Sequence, residues 1–426
     1  MTERIAVIGT APHAFAGAGT IHASIFSLLA RAGHEVVFVA FKPPFRSEEL
    51  SAAGVVVAIP RIHSDAYPDS DSVQLLAVTS EIVTRARAKA ADGLRVVLIG
   101  TYLFPFFQAV EHATQLLHAE GIRVTSIAVP AGSDIWQIAM QVPQLARDLL
   151  TRAHTHLRVT YSHQFANEIA QWLGDCGRFE VIPPPIDTLT FRPACVDERR
   201  AIRHRLGLSE HSFVLLNCSN MRPVKGLQHT VRLARELAAR APFAVTLLLV
   251  GPVTHHLCEA LGLSPGMQLS VPAVLKLDQL TVHVEGLQKQ TRDYHVASDV
   301  ALNTSFHDSF NLSLAESMAC GTPIVTSELV GLREVTEGSA CGVFFSYGSR
   351  EGASPSLART MLAAQQAHVL GKLLEWGSNE VLRRQFAENA CRTIRRGLGE
   401  SAIVEKWERL FQRCVIPSRP STAALS

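Results

Sequence analysis

No two cysteines in this 426-residue sequence stand as Cys-x-x-Cys, and its eight cysteines are scattered. Neither a zinc ribbon nor a disulfide framework is expected, and free thiols fit a reducing compartment. No apolar run reaches the roughly 18 residues of a spanning helix. The N-terminus also lacks the pattern of a signal peptide, so the expectation is a cytoplasmic protein without a transmembrane segment. Neither sign of charge is in excess: 40 Lys and Arg face 38 Asp and Glu, for a net charge of +2. That balance advertises no nucleic-acid partner and no anionic membrane surface. Low-complexity tracts and repeats of 20–50 residues are missing too. What remains is 47% hydrophobic and 18% charged residues, the make-up of a folded globular chain.

At this length one core does not suffice, and two domains of roughly 200 residues each are expected. The first forty residues read as one βαβ unit. Ile5 to Gly9 is a short apolar run and hence a buried strand. Ile21, Ile25, Leu28, Leu29 and Ala32 then recur at helical spacing, and Gly33 stands where a helix ends. "EVVFVA" (Glu35 to Ala40) is the next strand, and "RVVLIG" and "VTSIAV" extend a parallel sheet. A proline-rich crossing follows, "VIPPPIDTLTFRP" (Val181 to Pro193). After it the pattern restarts, with strands at Phe213 to Cys218, Val245 to Gly251, Leu280 to Gly286, Asp299 to Asn303 and Pro323 to Ser327. The fold class is therefore α/β, with two doubly wound parallel sheets and a cleft between them, since such sheets bind ligands at the carboxyl ends of their strands.

Two stretches carry chemistry. In "DSFNLSLAESMACGTPIV", Gly321 and Pro323 end a helix that begins near Phe310 or Asn311. Asp308 then lies in the loop before it and Glu316 nearly two turns in, with the carboxylates roughly 8–12 Å apart. That is too far for a metal pair or a shared proton. It suits two ends of one extended polar ligand, with free N–H groups at the helix start favouring anionic groups between them. The plainer alternative is a capping Asp and a solvated Glu. In "NCSNMRPVKGLQ", Arg222 and Lys225 stand three apart before a helix. A guanidinium and an ammonium there can neutralise a departing diphosphate, although basic residues in a loop are as often simply solvated.

Together with three further stretches in the same order, these resemble the retaining GT-B glycosyltransferases of family 4, over almost the whole chain. "PHAFAGAGTIHASIFSLLARAGHEV" resembles the family's glycine-bearing loop and first helix, and "VIPPPIDTLTFRP" its "VIPNGVDxxxFxP" linker. "SNMRPVKGL" is similar to "GRLxxxKG", "DSFNLSLAESMACGTPIV" to "EGFGLxxLEAMACGxPVV", and "VGLREVTEGSACGVFF" to "GGxxEVxxxGxxGxLV". The resemblance implies an acceptor-side domain over 1–188, a nucleotide-sugar domain over 189–398, a helix within 399–415 crossing back to the first domain, and a tail over 416–426. Ile403, Trp407, Leu410 and Phe411 share a helical face that could make that crossing.

The roles implied are specific. Arg222 and Lys225 hold the diphosphate. Asp308 meets the transferred sugar, with the backbone of Ser309, Phe310, Asn311 and Leu312 close by, and Glu316 holds the ribose hydroxyls. Gly17 and Gly19 let the first loop approach the phosphate and acceptor, and Gly286 lies where the base is met. Ser133 and Asp134 belong to the acceptor side, Asp134 reading equally as an N-cap. Three departures stand out. Asp308 replaces the family's usual Glu; Ser309 and Asn311 replace glycines, narrowing or rewiring the sugar pocket; and Ala131 stands where many relatives have His. His13 or His163 would have to substitute for that His, though each also reads as an ordinary loop histidine. The expected reaction is retaining, metal-independent transfer of a sugar from a UDP- or GDP-sugar to a small-molecule acceptor, without a further cofactor and plausibly in specialised metabolism. The expectation includes no nucleic-acid partner and is compatible with a homo-oligomer. A non-catalytic nucleotide-sugar-binding protein, a nucleotide-sugar epimerase and a nicotinamide-dependent dehydrogenase are the rivals, the last disfavoured because no G-x-G-x-x-G follows the first strand.

Overall fold

The computed structural model describes residues 4–11, 18–41, 55–59, 72–139, 141–264, 267, 269–348 and 360–413. The first sheet contains β1 (Ile5–Ala11), β2 (Glu35–Phe41), β3 (Val55–Ile59), β4 (Arg95–Thr101), β5 (Val124–Val129), β6 (Leu157–Thr160) and β7 (Glu180–Val181), in the spatial order β3-β2-β1-β4-β5-β6-β7. All of its pairings are parallel. Helices flank both faces, so the central strands are apolar throughout: β5 has no exposed residue, and Ile5, Val7, Ile8, Val97 and Leu98 are fully buried. The helix Ala18–Arg31 turns Ile21, Ile25, Leu28 and Leu29 onto this sheet.

The second sheet contains β8 (Phe213–Cys218), β9 (Val245–Val250), β10 (Ala273–Leu277), β11 (Leu280–Gly286), β12 (Val300–Asn303), β13 (Ile324–Ser327) and β14 (Gly342–Phe345), in the order β10-β11-β9-β8-β12-β13-β14. It is parallel except at one edge, where β10 pairs antiparallel with β11. That strand escapes sequence reading for a physical reason. Its side chains alternate between half-buried and exposed, and Asp278, at φ 55, turns the chain back without an Asn-Gly or Asp-Gly signal.

In each sheet the chain winds outward on one side and then restarts on the other. The reversal falls between β1 and β4 in the first domain and between β8 and β12 in the second. Such switch points open a crevice beyond the carboxyl ends of the strands. The loops that follow β8 and β12, residues 219–226 and 304–311, therefore stand side by side, facing the loops that follow β4, β5 and β6. The last helix, Glu400–Arg413, lies on the first domain. Ile403, Trp407, Leu410 and Phe411 are buried there, and Arg31 and His34 meet Glu400 and Glu408.

Candidate active site

The loop after β8 is fixed by backbone geometry. Pro223–Lys225 forms one tight turn, and Gly226 leaves it at φ 60 to start the helix Leu227–Arg240. A Cβ on Gly226 would sit 2.2 Å from the Thr304 carbonyl oxygen. The Thr304 hydroxyl donates to the carbonyls of Gly226 and Lys225, and Phe306 N–H donates to Val224. These contacts clamp the Arg222–Lys225 turn onto the loop that follows β12.

As a result Lys225 and Asp308 meet. Lys225 Nζ lies 2.6 Å from Asp308 Oδ2, each side chain being about 15% exposed at most. Asn311 Nδ2 donates to the same oxygen at 2.9 Å. Asp308 Oδ1 accepts nothing from the described residues. Arg222 is exposed and makes no ion pair among them. The helix starts at Leu312, one residue after the expected start, because Asn311 is its cap: at φ 78 it accepts from Leu314 N–H through Oδ1, at 3.1 Å. Among the described residues, the N–H groups of Ser309, Phe310 and Asn311 have no protein acceptor. Buried donors of this kind are costly unless a ligand satisfies them. Phe310 itself is fully buried, so only its backbone faces the crevice, and Leu312 is partly buried beside it.

Glu316 stands in the second turn of the helix Leu312–Ala319. Its partner is His295, a residue sequence reasoning passed over. His295 is fully buried, with Nε2 3.5 Å from Glu316 Oε2. Its Nδ1 lies 2.7 Å from the Ser317 hydroxyl, which itself donates to the Ser313 carbonyl. Gly286 ends β11 at φ 73, and its carbonyl accepts from Gly251 N–H.

Of the two alternatives for the glycine replacements, narrowing or rewiring, Ser309 takes the second. The Ser309 hydroxyl points across the cleft and donates to the Ala131 carbonyl at 2.8 Å. Two departures from the family pattern, Ser309 and Ala131, thus meet each other. Asn311 occupies a left-handed position that glycine or asparagine tolerates.

The acceptor side corrects the expectation for Asp134. Its carboxylate is fully buried and accepts N–H groups of Leu103, Ala131 and Gly132, so it is turned into its own loop rather than toward a ligand. Burial pushes it up to about 6, although those backbone donors pull it down. Ser133 lies 3.3 Å from the Tyr102 hydroxyl. The His163 N–H donates to Glu334 Oε2 of the second domain, and its side chain is exposed. Gly19 is buried in the first turn of the first helix, while Gly17 and His13 lie outside the described residues. Behind this face His22 Nε2 lies 2.5 Å from the Tyr161 hydroxyl. Burial holds His22 down at about 3 and Tyr161 well above the usual phenol range.

Residues 212–363 match the model of the family glycosyl transferases group 1. Over nearly the full length, the chain is 25% identical to N-acetyl-alpha-D-glucosaminyl L-malate synthase of Bacillus anthracis, across 406 residues and 93% of each chain. The match to that family lies in residues 212–363, and the fold of the chain is GT-B. D-inositol 3-phosphate glycosyltransferase of Xylanimonas cellulosilytica is 30% identical over 194 residues, 43% of each chain. The chain spans about two fifths of the length of the D-inositol 3-phosphate glycosyltransferases it matches. Among solved GT-B structures, Anabaena HepE in complex with UDP and glucose superposes with a TM-score of 0.69 at 16% identity, over 95% of this chain and 99% of that one. Sucrose-phosphate synthase from Thermosynechococcus elongatus gives 0.66 at 16% identity, over 96% and 99%. No helix of the described residues is long and apolar enough to cross a membrane. One Asp-x-Asp does occur, Asp69-Ser70-Asp71, in the first half and outside the described residues.

Proposed function

We propose that the protein transfers a sugar from a nucleoside diphosphate sugar, UDP- or GDP-linked, to a small polar acceptor, with retention of configuration and without a metal ion. The observation that carries this reading is the meeting of Lys225 with Asp308 beside three unpaired N–H groups, at the switch point of the second sheet. Arg222 and Lys225 supply two positive charges to a diphosphate, and Glu316 supplies a carboxylate to ribose hydroxyls. In the free protein the Lys225 ammonium is held by Asp308. A diphosphate at the turn draws it away and leaves Asp308 to accept from sugar hydroxyls, with Asn311 still holding Oδ2. With Asp308 assigned to sugar hydroxyls and Glu316 to ribose, a front-face departure is favoured, in which the leaving diphosphate takes the acceptor's proton. Such a step needs no dedicated strong base and suits a thiol as well as a hydroxyl. The malate and inositol 3-phosphate in the relatives' names favour a small polar acceptor over a polymer. A cytoplasmic place in specialised metabolism is part of the same proposal.

Calorimetry with UDP and GDP side by side tests the donor site. One diphosphate should bind the wild type. Lys225→Ala should weaken that binding and lower turnover by about 10²–10³-fold, as loss of a charge-stabilising group does. Absence of binding by both nucleotides would sink the reading. Interconversion of a bound donor sugar with no acceptor present would favour an epimerase, and tight nucleotide binding with neither transfer nor donor hydrolysis a binding protein.

A further inference from the structure

The loop that carries Asp308 is tied to the opposite domain on both sides of that residue. Before it, His307 Nε2 lies 2.6 Å from Glu168 Oε2, on the helix His163–Leu173 of the first domain. The imidazole is 5% exposed and sits among three first-domain rings, Trp136, Phe165 and Trp172, with ring centroids 6.3, 5.9 and 5.9 Å away. After it, the Ser309 hydroxyl donates to Ala131 and the Ser309 carbonyl accepts from Ser162 at 3.1 Å. The same helix start is capped from the second domain: both oxygens of Glu334 accept N–H groups, from His163 at 2.8 Å and Gln164 at 2.5 Å.

We propose that Glu168 and His307 form a cross-cleft latch, and that His307 is the positioning residue that sets Asp308 for the sugar only when the domains are closed. The Asp308 loop is fastened within its own domain, the Asp308 N–H donating to Leu329 and the Gly331 and Leu332 N–H groups donating to Asp308 and Phe310, and takes its final setting from the first domain. Opening the cleft exposes the His307 ring, strips Glu168 Oε2 of its donor while Gln164 still serves Oε1, and breaks the first-domain contacts on both sides of Asp308 at once. Arg222, Lys225 and Glu316 take no part in these contacts, so nucleotide capture and loop placement are separate events. The catalytic half of the inference rests on the glycosyl-transfer reading; the latch itself does not.

Hydrogen exchange on the full chain, without ligand, decides the latch. In Glu168→Ala, the hydrogen-bonded amides within residues 307–316, such as Asp308, Leu314 and Ala315, should exchange about tenfold faster, as expected when a charged hydrogen bond across a local opening is lost. Amides of β8 and β9 should be unchanged, and Glu168→Gln, which keeps an acceptor, should recover part of the protection. Unaltered exchange at 307–316, or an even loss across both sheets, would overturn the proposal. Kinetics then read the coupling: Glu168→Ala should keep UDP and GDP affinity within twofold and lose about tenfold in kcat at similar donor KM. Lowered nucleotide affinity at unchanged kcat would refute it. If neither nucleotide binds the wild type, the functional reading fails while the exchange result still stands.

Discussion

Asn311 combines three properties that no other residue type offers together. It tolerates a φ of 78, it caps the helix Leu312–Ala319 through Oδ1, and it orients Asp308 through Nδ2. Asn311→Ala loses the cap and adds left-handed strain, a sum of about 2 kcal/mol. Asn311→Gly keeps the backbone at ease and should cost only about 0.5 kcal/mol. Urea unfolding should separate the two variants in stability, yet both should lower turnover alike, because both release Asp308. A turnover that follows stability instead would show that the Asn311–Asp308 bond is idle. Glu316→Ala belongs to the same scale. It should weaken nucleotide binding by about 1.5–3 kcal/mol, the worth of charged hydrogen bonds to two hydroxyls, and an unchanged affinity in calorimetry would remove the ribose role.

Elements, rather than single residues, set the electrostatics of the acceptor side. Asp134 sits in the turn after β5 and His22 in the first helix, both fully buried. Asp134 titrates near 6 instead of 3.8, so between those values the folded chain holds a proton the unfolded chain has released, and stability falls as pH rises. His22 titrates near 3 instead of 6.5. As pH drops through that window the unfolded chain takes a proton the folded one refuses, so stability rises with pH. From pH 4 to 6 the two slopes oppose and nearly cancel. Asp134→Asn should therefore gain about 2 kcal/mol relative to wild type across those two pH units, and His22→Asn should lose a similar amount. Urea midpoints at pH 4, 5 and 6 measure both, and two variants parallel to wild type would refute the buried ionisations. Gly226→Ala should cost at least about 2 kcal/mol by unfolding, since its Cβ has no room beside Thr304. These elements also show what the sequence could and could not reveal. Apolar runs and glycine stops made four strands of the first sheet, five of the second, the Arg222–Lys225 turn and the Asp308–Glu316 helix readable, while β3, β6, β7, β10 and β14 went unread. The Lys225–Asp308 pair joins residues 83 apart and the Glu168–His307 pair residues 139 apart, so neither has a local signature. Asp134 read equally as a ligand and as an N-cap, and only its burial and its bonds to the Leu103, Ala131 and Gly132 N–H groups show that the loop backbone has claimed it.

At the scale of the whole molecule, the chain crosses between domains twice, and the crossings run together. Ile186 N–H donates to the Leu398 carbonyl, and Ile186 bridges Gly399 in parallel. Beyond this paired strap the helix Glu400–Arg413 returns to the first domain. Trp407 is 1% exposed there, Phe411 packs edge-on against His34 with ring centroids 5.6 Å apart, and Arg413 reaches Glu180 beside the outgoing crossing. The last helix is thus part of the first domain's core, although it follows the second in sequence. Trp407→Ala removes a large buried side chain and should cost about 3–5 kcal/mol. Trp407→Phe should cost less, because the indole N–H has no acceptor among the described residues. The loss has a direction: in hydrogen exchange, β1, β2 and the helix Ala18–Arg31 should lose protection, while β8 and β9 keep theirs. Affinity for UDP or GDP should hold in Trp407→Ala, since Arg222, Lys225 and Glu316 all stand on the second domain. Protection lost first in β8 and β9 would mean that the helix stabilises the domain it leaves rather than the one it reaches.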